Sequence, residues 1–263
     1  VAECVRAHCP YGESCGYVAN RERAKFARVL IVNHALLAHD LAIGGGKILG
    51  PYDVLLIDEG HQAPKYFRDA FSLRLDPRQP ETIARALKDS DFEMGEGFGR
   101  LYAALFSALP NRAQELSLDE ALSRMFGELY AQTAKMHDLM SARGIFDDSD
   151  ASHGASELAR ARIRLRVGGT LLGKIRQLCE VVLAIPPKPK PVAEGAEEEA
   201  PIVLPPRDWV KYTERRNRDE MNLIVTPLEI GPLVAPALLG LKGVVVTSAT
   251  LATANGMAYM ARE

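Results

Sequence analysis

Short unbroken aliphatic runs, each ending in polar side chains, recur along this chain. Val54, Leu55, Leu56 and Ile57 lead into Asp58, Glu59, Gly60 and His61; Val29, Leu30, Ile31 and Val32 lead into Asn33 and His34; Val244, Val245 and Val246 lead into Thr247, Ser248, Ala249 and Thr250. Continuous runs of this kind suit strands buried on both faces of a parallel sheet, since a half-exposed strand alternates apolar and polar positions. Ligands of open parallel sheets sit at the carboxyl ends of the strands. One sheet edge is therefore expected to gather Asn33, Asp58, Glu59, His61, Ser248 and Thr250. The adjacent Asp58 and Glu59 carboxylates repel each other unless a cation or proton relieves them, and an oxygen-seeking ion such as Mg2+ is the natural relief. A helix N-cap and first turn is the ordinary alternative for such a pair.

Beyond Pro64 the period becomes helical. Ser117-Leu118-Asp119-Glu120 has the form of a capping box, followed by Leu122, Met125, Leu129 and Met136 at helical spacing. A second long helix is predicted over residues 157–183, weakened at Gly168-Gly169. Its seam joins Leu158, Leu165, Leu172 and Cys179 to a partner row of Ala161, Gly168, Ile175 and Val182, which makes Cys179 a core residue. Arg160, Arg162, Arg164, Arg166, Lys174 and Arg176 occupy the remaining faces, either as a solvated surface or as a track for a phosphate backbone. Residues 186–206 are rich in proline and glutamate without apolar period and read as a loop or disordered linker. Trp209 beyond them is expected to pack in a core. The Gly44-Gly45-Gly46-Lys47 run fails as a phosphate loop because Ile48 follows the lysine, and it reads as a flexible turn.

With 263 residues, 47% of them hydrophobic, the chain can bury a substantial core. A net charge of -2 from 32 basic and 34 acidic side chains gives no global attraction to nucleic acid, so such binding has to come from local patches. No run reaches the length of a membrane span and no secretory signal is visible, so a cytoplasmic location is expected. Cys4, Cys9 and Cys15 cluster at the start of a chain that otherwise holds Cys179 alone. Thiols this dense are metal or cluster ligands more often than disulfide partners. Four ligands are the usual set, so either His8 completes a zinc site or a fourth thiolate lies outside this sequence. A start at Val1, directly before the cysteines, suggests an excised piece or processed product.

Taken together, these motifs resemble the iron–sulfur helicase family of superfamily two, the XPD and DinG type, and most closely its DinG-like branch. Asp58-Glu59-Gly60-His61 resembles the DEAH box with glycine for alanine, and Ser248-Ala249-Thr250-Leu251 resembles the Ser-Ala-Thr motif. Val32-Asn33-His34-Ala35-Leu36-Leu37 resembles the run before the DEAH strand, and Cys4, Cys9 and Cys15 match the last three cluster ligands. The resemblance implies an α/β fold: a partial RecA-like parallel sheet with a cysteine-cluster insertion and a mainly helical arch insertion. The cluster domain would take residues 1–28, the first motor domain residues 29–61 and 221–263, and the arch residues 62–220. It further implies a 4Fe-4S cluster on Cys4, Cys9 and Cys15, Mg2+ on Asp58, a water-polarising Glu59, and His61 coupled to Ser248 and Thr250. Asn33, His34, Arg160 and Arg164 are expected DNA contacts. The parent would be an ATP-dependent helicase moving 5′ to 3′ on single-stranded or forked DNA, with protein partners through the arch. The phosphate-binding lysine and first cluster cysteine would precede Val1 and the second motor domain would follow Glu263, so the isolated chain is expected to be inactive. The rival reading is a non-catalytic module that binds single-stranded nucleic acid or protein, and a further one is a domain stabilised by zinc on His8 and the three cysteines.

Overall fold

A computed structural model describes residues 14–88, 90–95, 97–146, 157–185, 208–215 and 220–249. Cys4, Cys9, Thr250 and the stretch 186–206 lie outside the described residues. The fold is mixed α/β and mostly helical, with a small parallel sheet and an antiparallel one. It divides into two compact units, one centred on Arg21–Ser72 and the described part of Thr226–Glu263, the other on the described part of Leu73–Pro186 and Lys211–Val225.

In the first unit, strand β1 (Val54–Ile57) pairs in parallel with β6 (Gly243–Val246), Val54 opposite Gly243 and Ile57 opposite Val246. Helices α2 (His34–Ala42), α3 (Ala63–Phe71) and α8 (Gly231–Leu239) supply its core. Leu37, Ala38, Leu41, Ile57, Ala63, Phe67, Ile230 and Val234 are buried together there. The expectation of strands buried on both faces needs correction. Val54 is 61% and Leu56 64% exposed, while Ile57 is buried, so β1 alternates after all. The predicted strand at residues 29–32 does not form: Val29 is 79% and Ile31 92% exposed, and no described strand pairs with them. Aliphatic composition favours a strand only where a neighbour accepts its backbone hydrogen bonds and its side chains find something to pack on.

The glycine run is also no loose turn. Gly44, Gly45 and Gly46 adopt φ of +102°, +72° and +67°, which L side chains avoid, and so wrap the chain around the buried Asp40. Gly46 N–H donates to Asp40 Oδ2 at 2.7 Å, while Ile48 and Leu49 N–H donate to Oδ1 at 2.6 and 3.2 Å. A carboxylate of the chain itself thus fills the concavity that backbone N–H groups make for anions elsewhere. Tyr52 reaches the same carboxylate at 3.5 Å, and its hydroxyl pKa is raised by burial and then by the charge of Asp40.

In the second unit, the sheet runs β2 (Leu73–Leu75), β5 (Met221–Pro227), β4 (Trp209–Arg215), β3 (Gln114–Glu115), with β2 antiparallel to β5 and β3 to β4. Helices α4 (Gln79–Leu87), α5 (Gly97–Ala108), α6 (Glu120–Ala142) and α7 (Glu157–Leu183) accompany it. The remaining helix, α1 (Gly16–Lys25), buries none of its residues. Ser117 is not the cap of α6. Asp119 is, accepting from Leu122 N–H at 2.7 Å, because the helix begins two residues later than a Ser117 cap would require. α7 passes unbroken through Gly168-Gly169, where the missing side chains admit neighbours: a Cβ on Gly168 would lie 2.8 Å from Ala86 Cβ, and one on Gly169 2.6 Å from the Phe146 ring. Leu172, Ile175, Cys179 and Val182 are buried as the seam predicts, Leu178 is buried beside them, and burial pushes the Cys179 thiol well up.

Candidate functional site

β1 delivers Asp58 to the end of the parallel sheet, and there the chain turns sharply. Glu59 takes left-handed φ and ψ of 49° and 44°, Gly60–Gln62 forms a single 3-10 turn, and α3 follows with Pro64 in its first turn. A left-handed glutamate costs free energy that the surroundings must offset. Two backbone bonds do so by carrying the β1–β6 pairing past the strands: Thr247 N–H donates to Ile57 O at 2.8 Å and Gly60 N–H to Thr247 O at 2.9 Å.

The side chains close the same turn. Asp58 Oδ1 accepts from Thr247 Oγ1 at 2.7 Å and from Glu59 N–H at 2.9 Å. These hydrogen bonds, the Thr247 one foremost, hold the Asp58 carboxyl below the usual carboxylate range, so it is ionised at neutral pH. His34 Nε2 donates to the Asp58 carbonyl at 2.9 Å, with its ring stacked on Tyr66 at a 5.5 Å centroid distance. His61 Nδ1 lies 2.8 Å from Ser248 Oγ and 3.3 Å from Glu59 Oε2. Serine, histidine and acid here do not make a hydrolase relay. Such a relay uses one ring nitrogen for the nucleophile and the other for the acid, whereas Ser248 and Glu59 share Nδ1. What the arrangement offers is an exposed, ionised carboxylate, a second acid beside it, and a histidine that ties that acid to Ser248, two residues beyond β6.

Asp58, Glu59, His61 and Ser248 therefore come together as one cluster, with Ala249 adjacent and exposed. Asn33 accepts from Leu36 N–H at 2.9 Å as the N-cap of α2, and His34 bonds to Asp58, so both expected DNA contacts spend these polar atoms within the protein. Arg160 and Arg164 lie on α7, in the other unit. Much of the supposed basic track there has structural work: Arg162 donates to Gly144 O at 3.1 Å, Arg166 to Ile145 O at 2.8 Å, and Arg176 to Asp138 at 3.0 Å. Cys15 is half-buried just before α1, and among the described residues no group of His, Cys, Asp or Glu could hold a metal by itself. Sequence reading passed over Thr247 as a member of the site. Aligning β1 and β6 in parallel register, Ile57 opposite Val246, is the signal that would have placed it beside Asp58.

No protein-family model matches the chain. It is 27% identical over 295 aligned residues to the ATP-dependent DNA helicase DinG of Photobacterium profundum, an alignment taking in 98% of this chain and 40% of that protein. This chain is a distant homologue of the DinG and YoaA helicases. It is 33% identical over 85 residues to the ATP-dependent DNA helicase YoaA of Escherichia coli, covering 31% of the chain and 13% of that relative. Against the ATP-dependent helicase DinG of Mycobacterium tuberculosis it is 39% identical over 56 residues, 21% of the chain and 8% of the relative. The chain thus spans well under half the length of these relatives. Among the described residues no helix is long and apolar enough to cross a membrane.

Proposed function

We propose that this chain supplies the acidic turn and a largely helical insertion of an ATP-dependent DNA helicase that moves 5′ to 3′ on single-stranded or forked DNA. The observation that carries the reading is the convergence of Asp58, Glu59 and His61 with Thr247 and Ser248, joined by side-chain bonds of 2.7 and 2.8 Å. Phosphoryl transfer needs little covalent help from a protein and much positioning of charge. Asp58 fits a divalent cation, being exposed, ionised and held through one oxygen. Mg2+ bound with the nucleotide would neutralise charge on its phosphoryl oxygens. Glu59 orients the attacking water, and His61 passes the state of that acid to Ser248. Cys4, Cys9 and Cys15, with a thiolate from outside this sequence, would hold the 4Fe-4S cluster.

The test is the DNA-stimulated ATPase of the whole protein. Glu59→Gln keeps the size of the side chain and removes the charge, and turnover is expected to fall by about 100-fold or more, in the range seen when a preorganised electrostatic group is deleted. Wild-type turnover retained in both Glu59→Gln and Asp58→Asn would remove this reading.

A further inference from the structure

Thr247 lies outside the Asp-Glu-Gly-His and Ser-Ala-Thr motifs, yet it meets the acidic turn and the strand before it through its N–H, its carbonyl and its hydroxyl. Its N–H is bonded to Ile57 O at 2.8 Å and its carbonyl to Gly60 N–H at 2.9 Å, so the backbone is fastened on both sides of Asp58-Glu59. From that fixed backbone its hydroxyl donates to Asp58 Oδ1 at 2.7 Å, and β-branching restricts the side chain to few rotamers. Glu59 N–H shares the same oxygen at 2.9 Å, and His34 holds the Asp58 carbonyl at 2.9 Å. An exposed aspartate would otherwise rotate about both its side-chain torsions. With Oδ1 accepting from two donors, rotation of the carboxylate is restricted, and both of these bonds leave Oδ2 to a ligand as far as the described residues go.

We infer that Thr247 is a positioning residue of this site, its hydroxyl orienting the Asp58 carboxylate to receive a divalent cation. The inference rests on the cation-binding role proposed for Asp58. Partners of this kind behind a metal ligand are worth about 10–100-fold in metal affinity or activity. Thr247→Val keeps shape and β-branching and removes only the hydroxyl, whereas Thr247→Ser keeps the hydroxyl.

One experiment needs neither metal nor turnover: amide resonances of the isotopically labelled 263-residue chain. In Thr247→Val the Glu59 amide proton is expected to shift as Asp58 leaves it, while that of Gly60, bonded to the Thr247 backbone, stays in place; Thr247→Ser restores Glu59. In the whole protein, the Mg2+ concentration for half-maximal ATPase is expected to rise about 10-fold in Thr247→Val and to recover in Thr247→Ser. A Glu59 resonance unmoved by Thr247→Val, or an unchanged Mg2+ requirement, overturns the assignment. Absence of Mg2+-dependent turnover in the wild type overturns the role of Asp58 itself, and the Glu59 resonance then reports separately on whether the hydroxyl sets the carboxylate.

Discussion

Glycine in the middle of a helix is ordinarily a weakness, and this chain contains both a glycine that should behave so and one that should not. Gly127, within α6, has nothing within 4 Å of where a Cβ would stand. Gly127→Ala is expected to gain about 1 kcal/mol from helix propensity alone. Gly168, within α7, gains the same from alanine but places the new Cβ 2.8 Å from Ala86 Cβ on α4. Neither atom has a torsion by which to withdraw, so the helices themselves have to separate. Overpacking of a core costs about 1–3 kcal/mol, and a clash between two backbone-anchored carbons belongs near the upper end. The net expectation for Gly168→Ala is a loss of about 1–2 kcal/mol. Urea titration followed by far-ultraviolet circular dichroism reads this directly, and a typical urea slope converts it to a midpoint lowered by about 0.5–1 M. Combining Gly168→Ala with Ala86→Gly should recover part of the loss, a coupling of about 1 kcal/mol or more between side chains in contact. A midpoint that rises in Gly168→Ala as it does in Gly127→Ala would refute the close approach of α4 and α7.

Other perturbations follow from the same contacts. Asp40→Asn keeps the volume but exchanges an acceptor oxygen for an N–H2 facing backbone donors, and should lower stability by about 2–4 kcal/mol in the same titration; no change would mean the loop stands without the carboxylate. His137, packed against Phe146 and beside Arg176 and Asp138, has its pKa lowered from 6.5 by burial and then by Arg176. The unfolded chain therefore takes up this proton first as pH falls, so the stabilisation is complete above 6.5 and declines below it; His137→Gln should flatten that part of the profile of melting temperature against pH. Arg166→Ala removes the 2.8 Å bond to Ile145 O beyond the end of α6, and should cost about 1–3 kcal/mol while leaving the affinity for single-stranded DNA within about twofold; a large loss of affinity without loss of stability would restore the reading of this arginine as a DNA contact.

What could be read from the residues was what neighbours in sequence decide. α7 runs over Glu157–Leu183 as its seam predicts, and Asp58, Glu59 and His61 share one turn because they are almost consecutive. Partner choice across the chain was not legible. Thr247 meets Asp58 over a separation of 189 residues only because β1 and β6 lie parallel in one particular register, and a shift by one residue would turn the hydroxyl away. His34 and Arg166 are polar groups that sequence alone would give to DNA, but helix packing brings a carbonyl within reach of each. Residues 29–32 have the composition of a strand but pair with no strand among the described residues, and Gly168 has the composition of a helix breaker at a place where another helix comes close. In each case the residue type sets what bonds or contacts are available, and the tertiary arrangement decides which are made, because a backbone group or a packing surface is satisfied by whichever partner arrives at bonding distance.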